Sequence, residues 1–137
     1  MAQIILGASH LAQTAVPALL QKDQPDIIQW KRELRQTLEK QSKFLSDMLS
    51  SCHGLRVLRA GGAMYTIIRL DVQQFDETIR NDLDFSRALL KEENIFVLPG
   101  SCFGMPNVFR TVFCAPIPVL EEATGRMKDF CQRHAKH

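Results

Sequence analysis

VLPGSCFGMPNVFRTVFCA, residues 97–115, decides how the rest of this 137-residue chain is read. Pro99-Gly100 is a turn signal, Gly104-Met105-Pro106-Asn107 is a second cluster of breakers, and Val108 to Cys114 is an apolar, β-prone run with one arginine inside it. A guanidinium keeps its charge at any ordinary pH and presents a planar fork that matches a carboxylate or phosphate two bonds at a time. Placing one in an otherwise apolar strand is costly unless an anion meets it. Arg110 therefore faces solvent, pairs with an internal acid such as Asp71 or Asp84, or receives a ligand carboxylate. Strand chemistry leaves the three open.

Outward from that stretch, Ile95 to Leu98 and Val108 to Cys114 read as strands. Before them, Asp84 caps a helix from Phe85 to about Glu93, with Leu89 and Leu90 inward. Leu55 to Arg59 and Ala63 to Leu70 are two further strands, and the intervening Ala60-Gly61-Gly62 predicts an antiparallel hairpin. The glycine pair also permits close backbone approach to a ligand, although a plain turn is the commoner use. Residues 71–81 are less regular, with a helical turn expected around Gln74 to Ile79. After the breakers Pro116 and Pro118, Val119 to about His134 is a closing helix whose inner face is Leu120, Ala123, Met127, Phe130 and Cys131.

Toward the N-terminus, Ser9 to Leu20 reads as a helix apolar on nearly every side, with Ser9 as N-cap and Pro17 a point of kinking or interruption. A helix of that kind needs cover on several sides. Asp26 then starts a long helix to about Ser50, with the stripe Ile27, Trp30, Leu34, Leu38, Gln41, Leu45 and Met48. His53-Gly54 ends it. The order helix, long helix, strand, strand, helix, strand, strand, helix gives an α+β fold, a small mixed or antiparallel sheet with helices packed on it.

Composition narrows the function. A hydrophobic share of 45% and a charged share of 23% suit a soluble globular domain, which at this length buries a core without staples. The net charge of +2 is spread evenly, which points to neither nucleic acid nor an anionic membrane. No apolar run approaches the roughly 20 residues needed to cross a bilayer, and the first residues lack the features of a signal peptide. Cys52, Cys102, Cys114 and Cys131 form no C-x-x-C pair, and no histidine pair has metal-ligand spacing, so no metal site is expected. Scattered free thiols suit a reducing compartment. Cys102 reads as a packing residue, since no histidine lies near it in sequence, and the terminal His134 and His137 read as solvated. The residues alone offer one oddly placed arginine and no complete catalytic set.

A resemblance adds to this. Asn94 to Ala115, with Pro99-Gly100-Ser101-x-Phe103 and Arg110 eleven positions after the proline, resembles the C-terminal domain of fold-type I aminotransferases, and within that family the tyrosine aminotransferases. Gly62-Ala63-Met64-Tyr65, Asp84-Phe85 with Leu89-Leu90, and Phe130-Cys131-Gln132-Arg133-His134 fit the family in the same order. Ile5-Leu6-Gly7 and Gln13 resemble the segment leading into its long interdomain helix. The chain departs at Met105-Pro106-Asn107, where many relatives carry a glycine-rich turn, and at Gly7-Ala8-Ser9-His10.

The resemblance implies that residues 1–24 are the end of a large domain. It makes residues 25–137, including the long helix 26–50, the C-terminal small domain. It also implies that Arg110 grips the substrate α-carboxylate, with Gly62, Tyr65 and Ser9 as active-site neighbours and no catalytic group in this chain. The cofactor implied is pyridoxal 5'-phosphate, bound by a lysine that lies outside the chain. The reaction implied moves an amino group from an aromatic, tyrosine-like L-amino acid to a 2-oxo acid, in a homodimeric parent enzyme that is cytoplasmic or, alternatively, mitochondrial. The 137 residues alone would be inactive. Alanine or broad specificity is the alternative within the family, and a free-standing binding or interaction domain is the alternative outside it.

Overall fold

A computed structural model describes residues 7–20 and 24–136. It divides into two compact units, Met1–Gln36 and Thr37–His137. The first holds α1 (His10–Leu19) and the beginning of α2 (Pro25–Leu49). Pro17 does not interrupt α1: the helix runs through it, and Leu20 N–H donates to Val16 O at 2.9 Å beyond it. Ser9 occupies the N-cap position without a side-chain cap bond. No residue of α1 is buried, and Leu11 is 84% exposed. The expected strand or turn at Gln3 to Leu6 lies outside the described residues.

In the second unit α2 presents a core face of Gln41, Leu45, Ser46 and Leu49, while Leu38 and Met48 of the expected stripe are only half-buried. Strands β1 (Leu55–Leu58), β2 (Tyr65–Leu70), β3 (Leu98–Pro99) and β4 (Val108–Val112) form one sheet of order β1-β2-β4-β3. Every pairing is antiparallel, so the sheet is not mixed. Alternation along β2 sends Thr66, Ile68 and Leu70 inward and Tyr65, Ile67 and Arg69 outward. On the inner side, Phe109 of β4 stacks on Phe85 of α3 (Asp82–Glu93) with ring centroids 5.0 Å apart. Phe85 meets Phe130 of α4 (Ile117–Arg133) edge-on at 5.4 Å. These three rings, together with Phe113 and Ile68, are almost fully buried and lie in the core.

Several boundaries differ from the sequence reading for local reasons. Helix α3 starts at Asp82, because Asn81 caps it: its side-chain oxygen accepts from Asp84 N–H at 2.8 Å. Asp84 instead takes the Arg80 guanidinium at 2.9 Å. Pro118 lies within the first turn of α4, where its missing N–H would have had no partner in any case. Strand β3 keeps only Leu98 of the four expected residues and adds Pro99, since only these two pair with β4. The expected helical turn near Gln74 falls earlier, as a 3-10 turn at Val72–Gln74. In the hairpin connection the left-handed residue is Ala63 (φ 62°), not either glycine.

The end of the chain departs most from expectation. His134 is not solvated: it lies on the Phe130 ring at 4.6 Å, with Nδ1 2.8 Å from Asp76 Oδ2 and Nε2 3.1 Å from Glu92 Oε1. Arg133 pairs with Glu92 and Glu93, and Phe75 forms an isolated bridge with Ala135. The closing residues are thereby clasped to segment 74–76.

Candidate functional site

Arg110 is the middle residue of β4 and faces outward. Its cross-strand partners are Ile67 on one side and Leu98 on the other, and Leu58 lies beyond Ile67. The solvent face of an antiparallel sheet is normally polar. Here the row through Arg110 is aliphatic, and its neighbours Tyr65 and Val112 are apolar and exposed as well. Arg110 is the one charged member of its row, while Arg56 and Arg69 stand on the same face in the row two residues along.

Aromatic rings hold it there. Arg110 Cζ is 4.7 Å from the Tyr65 ring centroid and 6.0 Å from that of Phe103. Cation–π contact at a partly exposed site is worth about 0.5–1 kcal/mol and consumes no N–H donor. The internal acids suggested by sequence are engaged elsewhere, Asp71 with Gln73 and Gln74 and Asp84 with Arg80 and Asn81. Among the described residues no carboxylate pairs with Arg110 and no acceptor takes its N–H groups. The fork remains available for an anion from outside the unit.

The loop that delivers Arg110 is held by a residue that sequence reading missed. Asp82 is 1% exposed at the start of α3. Its carboxylate accepts from Ser101 N–H at 2.8 Å, from the Ser101 hydroxyl at 2.7 Å, and from Asn107 N–H at 3.2 Å. Burial pushes the Asp82 carboxyl up, and these hydrogen bonds outweigh it, leaving the group below the usual carboxylate range. Gly100, just ahead of Ser101, is a close approach: a Cβ there would lie 2.1 Å from Met105 O. The acid-rich stretch Asn81 to Asp84 signals a helix start but gives no hint that one acid turns inward.

Of the other sequence candidates, Tyr65 is brought directly to Arg110. Gly62 lies three residues ahead of it in the exposed connection, with nothing within 4 Å of the place a Cβ would take. Ser9 belongs to the first unit. Cys102 is exposed and does not pack, contrary to expectation, whereas Cys52 and Cys131 are buried and burial raises both thiols. Among the described residues no His, Cys, Asp or Glu cluster suits a metal ion, and no helix is long and apolar enough to cross a membrane. Lys31, Lys40, Lys43, Lys91, Lys128 and Lys136 are all exposed, and Lys22 lies outside the described residues. The described lysines therefore offer no desolvated amine suited to a covalently held aldehyde cofactor.

Residues 1–126 match the family model for aminotransferase class I and II. The chain is 40% identical over 136 residues to a tyrosine aminotransferase of Dictyostelium discoideum, covering 99% of this chain and 32% of that protein. It is 31% identical over 134 residues to tyrosine aminotransferase of Mus musculus, covering 98% and 29%. The crystal structure of tyrosine aminotransferase from Leishmania infantum superposes with a TM-score of 0.84 at 30% identity, over 98% of this chain and 32% of that one. The chain thus spans about a third of the length of the relatives it matches.

Proposed function

The chain belongs to the class I and II aminotransferases, and from that premise we propose that it is the substrate-gripping C-terminal part of a longer enzyme. That enzyme moves an amino group from an aromatic, tyrosine-like L-amino acid to a 2-oxo acid. The observation that carries the reading is Arg110, held from the side by Tyr65 and Phe103 with its fork free of internal acids. A substrate α-carboxylate docks on that fork as a bidentate pair. The aliphatic row Leu58, Ile67 and Leu98 excludes water beside it, which strengthens the pair.

The family implies pyridoxal phosphate. We place the cofactor lysine in the part of the enzyme outside this chain, a reading that the exposure of the described lysines supports. Recognition and orientation of the carboxylate are this chain's share. Gly62 belongs near the same site, and the whole enzyme works as a cytoplasmic homodimer. The names of the relatives favour tyrosine over alanine or a broad range. The exposed apolar surface of α1 argues against a free-standing binding domain.

Arg110→Lys in the full-length enzyme tests the assignment, because it keeps the charge and removes the fork. Truncating a desolvated charge pair costs about 2–5 kcal/mol, so kcat/KM for the amino acid is expected to fall roughly 30-fold to a few thousand-fold. An amine substrate lacking the carboxylate should lose far less. Equal losses on both substrates, with a lowered melting temperature, would remove Arg110 as the anchor.

A further inference from the structure

We infer that Asp82 is a positioning residue for the Arg110 site, its buried carboxylate fixing both ends of the loop that delivers Phe103 and Arg110. The inference rests on the carboxylate-anchor reading above. Burying an ionised carboxylate is costly, and among the described residues no cation compensates Asp82. Donors from Ser101 and Asn107, at the two ends of one loop, stand in for the cation. Helix capping does not explain the residue, since Asn81 already caps α3.

The two carboxylate oxygens divide the task. Oδ2 takes Ser101 N–H at 2.8 Å and Oδ1 takes Asn107 N–H at 3.2 Å, while the Ser101 hydroxyl lies 2.7 Å from each. Ser101 belongs to the 3-10 turn Gly100–Phe103, which ends on the ring beside the Arg110 guanidinium. Asn107, in a left-handed conformation (φ 57°), immediately precedes β4, and its carbonyl accepts from Leu70 N–H at 2.9 Å. That contact opens the β2–β4 ladder, which continues through Arg69↔Val108 and Ile68↔Phe109 to Ile67↔Arg110. A one-residue slip in this ladder would turn Arg110 into the core and Phe109 out of it. Asp82 thus holds the residue at which the register of β4 is set, and it makes no hydrogen bond or ion pair with the guanidinium.

The test uses full-length enzyme with Asp82→Asn, Ser101→Ala and Arg110→Lys, alone and with Asp82→Asn and Arg110→Lys combined. Asparagine keeps the shape of Asp82 but presents an NH2 where one backbone N–H needs an acceptor. A misplacement of about 1 Å near the chemistry can cost on the order of a hundredfold, so kcat/KM for an aromatic amino acid should fall about ten- to a hundredfold. The matching amine without a carboxylate should be nearly unaffected. The dissociation constant of 3-phenylpropanoate, measured by calorimetric titration, should rise by a similar factor. Ser101→Ala should move both readouts in the same direction by less, and the double variant should lose less than the product of the single losses.

If Asp82→Asn does not fold, the Ser101→Ala ratio decides. If Arg110→Lys discriminates between the substrates while Asp82→Asn and Ser101→Ala harm both equally or neither, Asp82 is structural and the inference fails with the anchor intact. If Arg110→Lys itself does not discriminate, the anchor reading fails and the inference falls with it.

Discussion

Replacing Gly100 by alanine should destabilise the chain through one steric contact. A Cβ at Gly100 would lie 2.1 Å from Met105 O, 2.3 Å from Val108 Cγ2 and 2.9 Å from Val108 O. To reach 3.0 Å, a separation real side chains scarcely go below, Met105 O would have to retreat 0.9 Å (3.0 − 2.1). It is poorly placed to do so: Met105 N–H is bonded to Gly100 O at 2.9 Å and Asn107 N–H to Asp82. Gly100 is not among the residues with left-handed φ, so backbone strain adds nothing. Overpacking of this kind costs about 2–3 kcal/mol where backbone must move. The stiffer unfolded chain of alanine returns about 0.5–1 kcal/mol. A net loss of about 1–2.5 kcal/mol lowers the melting temperature by roughly 3–10 °C at this size. Calorimetric melting of the 137-residue chain measures it, with Gly62→Ala as the control, since a Cβ there meets nothing within 4 Å. A Gly100→Ala variant that melts with wild type, or no lower than Gly62→Ala, would refute the close-approach reasoning.

Two further outcomes are expected. Acid should destabilise the chain. Asp76 is held below the usual carboxylate range chiefly by the Thr78 hydroxyl, and Glu92 is lowered because hydrogen bonds from His134 and Arg133 outweigh its burial. Groups with depressed folded pKa contribute stability that is present above the unfolded carboxylate pKa, about 4, and is lost as pH falls through the lower folded values. Urea midpoints should accordingly be level from pH 7 to about 5 and drop below about 4, and a paired Asp76→Asn and Glu92→Gln variant should show a shallower drop. Separately, pyridoxal phosphate added to the isolated chain and trapped with borohydride should label no lysine stoichiometrically. A single lysine labelled together with turnover would overturn the assignment of the cofactor lysine to the rest of the enzyme.

What sequence reading reached and what it missed divide by range. The hairpin around Gly61-Gly62, the strand carrying Arg110 and the inner face of α4 were legible because each shows within one or two turns or strand repeats. The start of α3 was misplaced by one cap: the run Asn81, Asp82, Asp84 offers several capping acids and amides, and only the geometry selects Asn81. Asp82 was invisible as a clamp because its partners lie 19 and 25 residues away. His134 was misread for the same reason, its carboxylates lying 58 and 42 residues back. Arg110 was noticed because a charge in an apolar run breaks the local pattern. What holds it, two rings from different elements, is set by tertiary structure.

The arginines of this chain show why that manner of holding suits recognition. Arg80 and Arg133 are tied to acids, and Glu93 and Glu92 raise the Arg133 guanidinium further. An arriving carboxylate would have to displace those partners, losing one charge pair for each it gained. Arg110 rests on the faces of Tyr65 and Phe103, which attract the cation while leaving its in-plane N–H donors unengaged. Its position is set by the strand register that Asn107 opens and not by a competing anion. The apolar neighbours Ile67 and Leu98 offer it no alternative acceptor. A fork that is charged, oriented and free of internal acids can meet an incoming carboxylate without first breaking an ion pair, so the pairing free energy is available for binding and orientation.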